Sequence, residues 1–385
     1  MTHKVFSAFY SLFTLLTVAL AASVPKTDYD VIVVGGGPSG LSAISGLSRV
    51  LRRTALFDSG EYRNAPTRNM HDVIGNDGTV PAEFRGAARK QILRYNTSTI
   101  IDTSISSIKP IENIFEATDA SGKTYTARKV VLGTGLRDVL PDTPGLEEAF
   151  GKGIFWCPWC DGYEHRDQPF GILGALQDII GSTFEVYTTL NHDLIAFLNG
   201  THTPEQEDIL TKAHPDWRDI VEAYDIRLDN RTITEIERIQ DGETHKDDQG
   251  RQFDKFLVHF TEGEPVERNA FITNFDTAQL STIPDQLGLK MLGNKIDTQT
   301  NSGLRTSLPG VWAVGDANSD NSTNVPHAMF SGKRAAVFAH VEMAREEAQA
   351  AISKRVPERR MLEKDTERRM GNEIEALYNR LRRRG

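Results

Sequence analysis

The chain has 385 residues, 39% of them apolar and 25% charged, with 31 glycines, 16 prolines and a formal net charge of −9. That composition is ordinary for a folded protein and excludes wholesale disorder, collagen and coiled coil. The length suggests two domains at about 100–200 residues each, and the acidic balance argues against nucleic-acid binding. The single long apolar run, at the extreme N-terminus, excludes a polytopic membrane protein.

Residues 1–23 read MTHKVFSAFYSLFTLLTVALAAS: Lys4, then an apolar stretch from Val5 to about Leu20, with Ala19, Ala21 and Ala22 at its end. This is the layout of a secretory signal peptide with small residues where the peptidase cuts. The apolar run falls short of the ~18–20 residues needed to span a bilayer; a retained signal anchor is the alternative. On the first reading the protein enters the secretory pathway, is secreted or lumenal, keeps no membrane segment after cleavage, and begins to fold near Thr27. Sequons at Asn96, Asn199, Asn230 and Asn321 are compatible with glycosylation.

Residues 28–34, DYDVIVV, form a short, mostly apolar, β-branched run suited to a buried parallel strand. GGGPSG follows, then LSAISGLSRVLRR with helical spacing and basic residues at its end, then TALFDSG as a second strand. Gly35, Gly37 and Gly40 fit G-x-G-x-x-G, with Pro38 and Ser39 inside the loop. The first glycine permits the tight turn, the second lets main chain approach a pyrophosphate, and the third lets helix pack on strand. The helix N-terminus then faces the diphosphate. Asp58 ends the second strand, where a carboxylate can accept from ribose hydroxyls and repels a 2′-phosphate. This pattern predicts bound FAD or NAD rather than NADP.

Residues 98–130 predict a run of short strands with a hairpin turn at SGK, 121–123. Residues 204–217 carry helical spacing, 233–239 strand spacing, and DGETHKDDQG at 241–250 a charged turn. VVLGTG ends at Gly135, and PGVWAVGDA at 309–317 predicts a strand running into Gly315 and Asp316 at the carboxyl edge of a sheet, where ligands bind in α/β folds. A long helix is expected through 333–351, and the tail beyond about Lys354 reads as a solvated charged helix.

The two cysteines, Cys157 and Cys160, form C-x-x-C within FWCPWCDGYEHRDQPFGILG, 155–174. Zinc needs four ligands and commonly two such pairs, so no metal is expected. A purely structural disulfide closes too short a loop to constrain the unfolded chain much. A redox pair is preferred, because this spacing permits an intramolecular disulfide and can lower the attacking thiol's pKa.

C-x-x-C-D-G after a G-x-G-x-x-G fingerprint, with the later GVWAVGDA, resembles the low-molecular-weight thioredoxin reductases of the pyridine nucleotide-disulfide oxidoreductase family, over about residues 28–345. RNAPTRNMHDVIGNDG at 63–78 and CPWCDGYEHRDQPFG are most similar to its fungal branch, the gliotoxin-type dithiol oxidases. The resemblance implies an α/β flavoprotein with two dinucleotide-binding domains. A three-layer FAD domain would take residues 27–150 and 271–350, an inserted, degenerate NADPH-type domain 151–270, and a charged helical tail 351–385. It also implies a homodimer. Cys160 would face the flavin, Cys157 would form a mixed disulfide with substrate, and Asp161 would move protons. Gly35, Gly37, Pro38, Ser39, Gly40, Asp58, Arg63, His71, Gly135 and Asp316 would hold FAD. His165, His71 and His327 are possible helpers, each more simply read as a packing or surface histidine.

The chain departs from the reductases at the second nucleotide fold. If Gly174 opens its fingerprint, the later glycine positions hold Leu176 and Ile179, and Leu176 is expected to obstruct a pyrophosphate. After Val186 the chain reads YTTLNHDLIAFLNG, with no Lys or Arg for a 2′-phosphate. NADPH is therefore doubtful, and dioxygen is the simplest acceptor for electrons from reduced flavin. The expected function is oxidation of a small-molecule dithiol, in secondary metabolism by the resemblance. An NADPH-dependent disulfide reductase and a non-catalytic flavin- or thiol-binding protein are the alternatives.

Overall fold

The computed structural model describes residues 24–179 and 189–383. The expected signal peptide, 1–23, and Val186 lie outside the described residues. The chain divides into two compact units. One is residues 27–340; the other contains residues 341–385.

The first unit is built on two largely parallel sheets. Strands β1 (Tyr29–Val34), β2 (Thr54–Phe57), β3 (Ser98–Ile101), β4 (Ile105–Ile111), β5 (Ile114–Asp119) and β6 (Thr124–Leu132) lie in the order β3-β2-β1-β6-β5-β4, and Val311–Ala313 also pairs with β6. β6 is long enough to be shared: Phe115 of β5 faces Ala127 in its first half, and Val311 faces Val130 in its second. Val31, Ile32 and Val33 of β1 are fully buried, as a strand covered on both faces requires. The predicted run of short strands over 98–130 is present, with Gly122 at positive φ in the hairpin turn.

The second sheet has the order Arg227–Asp229, Leu194–Phe197, Phe170–Leu173, Ala270–Thr273, Ile154–Phe155, all pairs parallel. Its apolar core gathers Phe155, Phe170, Leu176, Leu194 and Trp217. The last strand in sequence, Ala270–Thr273, runs three residues past position 270. A three-stranded antiparallel sheet of Ile233–Gln240, Lys255–Phe260 and Val266–Arg268 stands beside it, and the expected charged turn joins its first two strands.

Helix α1 (Pro38–Ser48) starts with proline in its first turn, where the missing N–H costs nothing. It ends at Ser48, short of the basic residues Arg49, Arg52 and Arg53. The C-terminal helix runs from Val325 to Arg382, longer than expected. Its segment beyond Ala350 is mostly exposed. No helix among the described residues is long and apolar enough to cross a membrane.

The C-terminal helix crosses α1 at close range: a Cβ added to Gly332 would lie 2.0 Å from the Ser39 carbonyl oxygen. Gly86, on helix α2 (Pro81–Ile92), faces open space. Gly332→Ala should therefore cost about 1–3 kcal/mol by overpacking, whereas Gly86→Ala should be neutral or stabilise by up to ~1 kcal/mol through helix propensity. Thermal melts of the two variants check this; indistinguishable midpoints would show that the crossing is not tight.

Candidate active site

The carboxyl ends of β1, β2, β6 and Val311–Ala313 open into one cavity of about 390 Å³. Its floor is main chain. Gly35 has φ +109°, and a Cβ there would meet the Gly133 oxygen at 2.1 Å; a Cβ on Gly40 would meet the Gly35 oxygen at 1.9 Å. Gly37 has open space in front of it, as a residue that must let a ligand approach the backbone should. Gly35, Gly37, Pro38, Ser39, Gly135 and Asp316 all line the cavity. Gly40 lies behind it, holding α1 against the turn.

The chain between β2 and α2 folds over the cavity as a wall. From it, Arg63 donates through Nε and Nη2 to both carboxylate oxygens of Asp138, at 2.9 and 2.6 Å, and through Nη1 to Asp316 Oδ2 at 3.0 Å. The same guanidinium lies 4.7 Å from the centre of the Trp156 ring, which stacks on Phe150. Burial pushes the Asp316 carboxyl up, against the opposing pull of Arg63.

Asp58 lies where the fingerprint places it, its carboxylate against the glycine turn (a Cβ on Gly36 would meet Asp58 Oδ2 at 2.0 Å), but it is already engaged by neighbouring donors. It is 4% exposed and does not line the cavity. Its oxygens accept from Tyr62 Oη at 3.0 and 2.8 Å, from Gly60 N at 3.0 Å and from Arg89 Nη1 at 2.8 Å. The acid that does line the cavity on this side is Glu61.

Cys157 and Cys160 are joined as a disulfide, with Cα atoms 5.2 Å apart. A single turn of helix, Pro158–Asp161, carries the pair. Cys160 and Asp161 line the cavity, together with Trp156, while Cys157 lies outside that lining. Asp161 keeps some open surface but is crowded by protein atoms. Burial pushes its pKa up to about 6, opposed by the charge of His165 and by Thr67, whose Oγ1 donates to Asp161 Oδ1 at 3.1 Å. His71 lines the cavity, 3.6 Å from Glu164. His165 is buried behind Asp161, with Nδ1 2.8 Å from the Asp161 carbonyl oxygen and Nε2 3.2 Å from Asp254 Oδ2. His327 pairs with Asp320 at 2.8 Å.

At the second sheet, the strand Phe170–Leu173 leads through Gly174 into the turn at Leu176–Ile179. The Leu176 side chain does not obstruct this edge as expected: it is fully buried in the core below, because an apolar side chain at a helix start turns inward. Its N–H is instead bonded to Thr201 Oγ1 at 3.1 Å. The neighbouring strand is Leu194–Phe197, so the residues in the place of a phosphate cluster are those after Phe197, not those after Val186. They read LNGTHT and contain no Lys or Arg. Arg231, beyond the next strand, is bonded to Asp229 and to the Glu264 oxygen. A cavity of about 450 Å³ lies at this edge, lined by residues that include Asp276 and, among the described residues, no Lys or Arg.

Two buried polar atoms in the first cavity, Thr134 Oγ1 and Trp156 Nε1, have no hydrogen-bond partner. With the open backbone at Gly37, they are what a bound dinucleotide with a polar ring system would satisfy, so the residues present fit FAD. Sequence reasoning missed Glu61, Thr67 and Trp156. Thr67 lies inside the segment RNAPTRNMHDVIGNDG and Trp156 directly precedes Cys157, so adjacency to those motifs was the available signal.

The family model described as pyridine nucleotide-disulphide oxidoreductase matches residues 29–184. A probable thioredoxin reductase of Arthroderma benhamiae is 53% identical over 342 residues, 86% of this chain and 84% of that protein. Thioredoxin reductase tcpT of Claviceps purpurea is 32% identical, over 82% of this chain and 94% of that one. Among solved structures, that of HlmI superposes with a TM-score of 0.71 at 26% identity, covering 86% of this chain and 96% of the other.

Arg63 neutralises two acids that share one buried space. Its removal leaves both uncompensated, so Arg63→Ala should cost about 3–5 kcal/mol. Arg63→Lys should recover less than half, since an ammonium cannot reproduce the fork on Asp138. Urea denaturation checks this; a loss below ~1 kcal/mol, the level of an exposed pair, would contradict it.

Proposed function

Because the chain belongs to the thioredoxin reductase-like branch of the pyridine nucleotide-disulphide oxidoreductases, flavoproteins that act on sulfur groups, we propose that it oxidises a small-molecule dithiol to a disulfide with dioxygen as final acceptor. The observation that carries this reading is a contrast between the two nucleotide edges. At the first, Cys160 and Asp161 share a cavity with the glycine fingerprint. At the second, the amide that would meet a diphosphate is bonded to Thr201, and no Lys or Arg among the described residues lines the cavity. The described residues of the second edge do not fit NADPH.

The sulfur chemistry follows from which sulfur faces where. Cys157 lies outside the cavity lining and takes the incoming thiolate: a substrate sulfur bonds to Cys157 Sγ as the Cys157–Cys160 bond breaks, leaving Cys160 as thiolate. The second substrate thiol, deprotonated, attacks the substrate sulfur of the mixed disulfide and releases Cys157. The substrate leaves as a disulfide, and the protein retains two electrons as a dithiol. Asp161, with a pKa near 6, is the carboxylate placed to take a thiol proton above that pH. Gly35, Gly37, Pro38, Ser39, Gly135, Arg63 and Asp316 would hold FAD. When bound, FAD supplies the two-electron acceptor for the dithiol and a route to dioxygen, with hydrogen peroxide as product.

The proposal extends to a signal-directed, secretory-pathway protein that forms a homodimer, supported by the N-terminal segment and the family likeness. Asn96 is an exposed sequon that a glycan could occupy there.

Stopped-flow absorbance separates this reading from a reductase. A dithiol should bleach the flavin and oxygen restore it, while NADPH leaves it oxidised; rapid reduction by micromolar NADPH would establish a reductase instead. The rate of flavin reduction by dithiol should rise with pH through about 6, as Asp161 loses its proton. Asp161→Asn should flatten that limb and slow the step by about 10²-fold; an unchanged profile would remove Asp161 from proton transfer.

A further inference from the structure

We propose that Arg68 is a positioning residue for the redox disulfide, holding the carboxyl end of the Cys157–Cys160 turn against the cavity through Asp254, His165 and Gln252. The proposal rests on the reading that this pair exchanges electrons with the bound flavin.

Arg68 comes from the cavity wall between β2 and α2, and its side chain is only 9% exposed. Nη1 donates to Gln252 Oε1 at 2.7 Å and to Asp254 Oδ2 at 2.9 Å; Nη2 donates to Asp254 Oδ1 at 2.9 Å and to Asp241 Oδ1 at 2.6 Å. This is a fork on a carboxylate, the geometry that fixes direction as well as distance. Asp254 is fully buried. Hydrogen bonds from His165 and Arg68 hold its carboxyl well below the usual range in spite of that burial.

Two routes lead from these partners to the cysteine turn. Asp254 Oδ2 meets His165 Nε2 at 3.2 Å, and His165 Nδ1 meets the Asp161 carbonyl oxygen at 2.8 Å. In the second route, Gln252 N donates to the Glu164 oxygen at 2.7 Å. The main chain just after Cys160 is thus held at Asp161 by His165, which leans on Asp254, and at Glu164 by Gln252, and Arg68 grips both Asp254 and Gln252. A four-residue helical turn is too short to be stable alone, and the disulfide that spans it is open in the dithiol state, so contacts from outside the turn must hold it.

Arg68→Ala should still fold, because Arg238 Nη2 and Gly242 N also bond Asp254 Oδ1, at 2.7 and 2.9 Å. Hydrogen exchange on the flavin-loaded protein decides the proposal. Arg68→Ala should speed exchange at Asp161, Gly162 and His165 by at least tenfold and leave β1 and β6 unchanged. Reduction of its flavin by dithiothreitol should slow by at least tenfold, and the long-wavelength absorbance of a cysteine thiolate lying against oxidised flavin should fall by more than half. Arg68→Lys, which keeps the charge but not the fork, should restore less than half of that band. Unchanged exchange at 161–165 in Arg68→Ala overturns the proposal, whatever the flavin does. If Arg68→Ala does not fold, Asp241→Ala takes its place: it removes a half-exposed partner of Arg68, with at least threefold faster exchange expected and no change overturning the idea. A wild-type flavin indifferent to dithiothreitol would end the parent reading alone, since the exchange comparison still decides the role of Arg68.

Discussion

Three contacts between stretches of main chain govern the site: Gly35 on the Gly133 oxygen, Gly40 on the Gly35 oxygen and Gly332 on the Ser39 oxygen. Each is closer than any side chain allows. Together they draw β1, β6, α1 and the C-terminal helix onto one point, and the cavity is the space left above it. The exposed backbone at Gly37 faces that space because its neighbours are pinned beneath. Dispersion and exclusion, not any one strong bond, set the floor's shape, and a single methyl group at these points would have to displace backbone.

On that rigid floor the chemistry is arranged by charge. The wall between β2 and α2 carries Arg63, Thr67 and Arg68, and each reaches an acid distant in sequence: Asp316 and Asp138, Asp161, and Asp254. Buried acids without such partners would be costly. The wall therefore neutralises the cavity's acids and joins the two sheets in one stroke. Asp161 is the exception, with a hydroxyl rather than a guanidinium as its bonded partner, and burial leaves it titrating near pH 6. A carboxyl that changes charge close to neutrality is a useful proton carrier beside a pair of sulfurs.

The two nucleotide-type edges of the chain present different groups. The first kept glycines where backbone must be bare. The second has Ala175 and Leu176 after Gly174, and the free amide at its helix start is bonded by the hydroxyl of Thr201. Among the described residues no Lys or Arg lines the second cavity, which supports the proposed absence of a nucleotide there, since a polyanion would be desolvated without compensation.

Sequence alone determined the elements and the reactive groups. Strand β1, the glycine turn and the start of α1 are local matters, set by β-branching, bare backbone and a proline within a dozen residues. The cysteine spacing likewise limits the pair to one turn of chain. Tertiary structure alone decided which partner each charge has. Asp58 carries the right residue type for a ribose, yet Arg89 and Tyr62 occupy it. Arg63 finds Asp316 across 253 positions, and Leu176 turns into the core while its amide goes to Thr201. Local propensity acts over a few residues, whereas charge pairing depends on which loops the strand order delivers to the same edge.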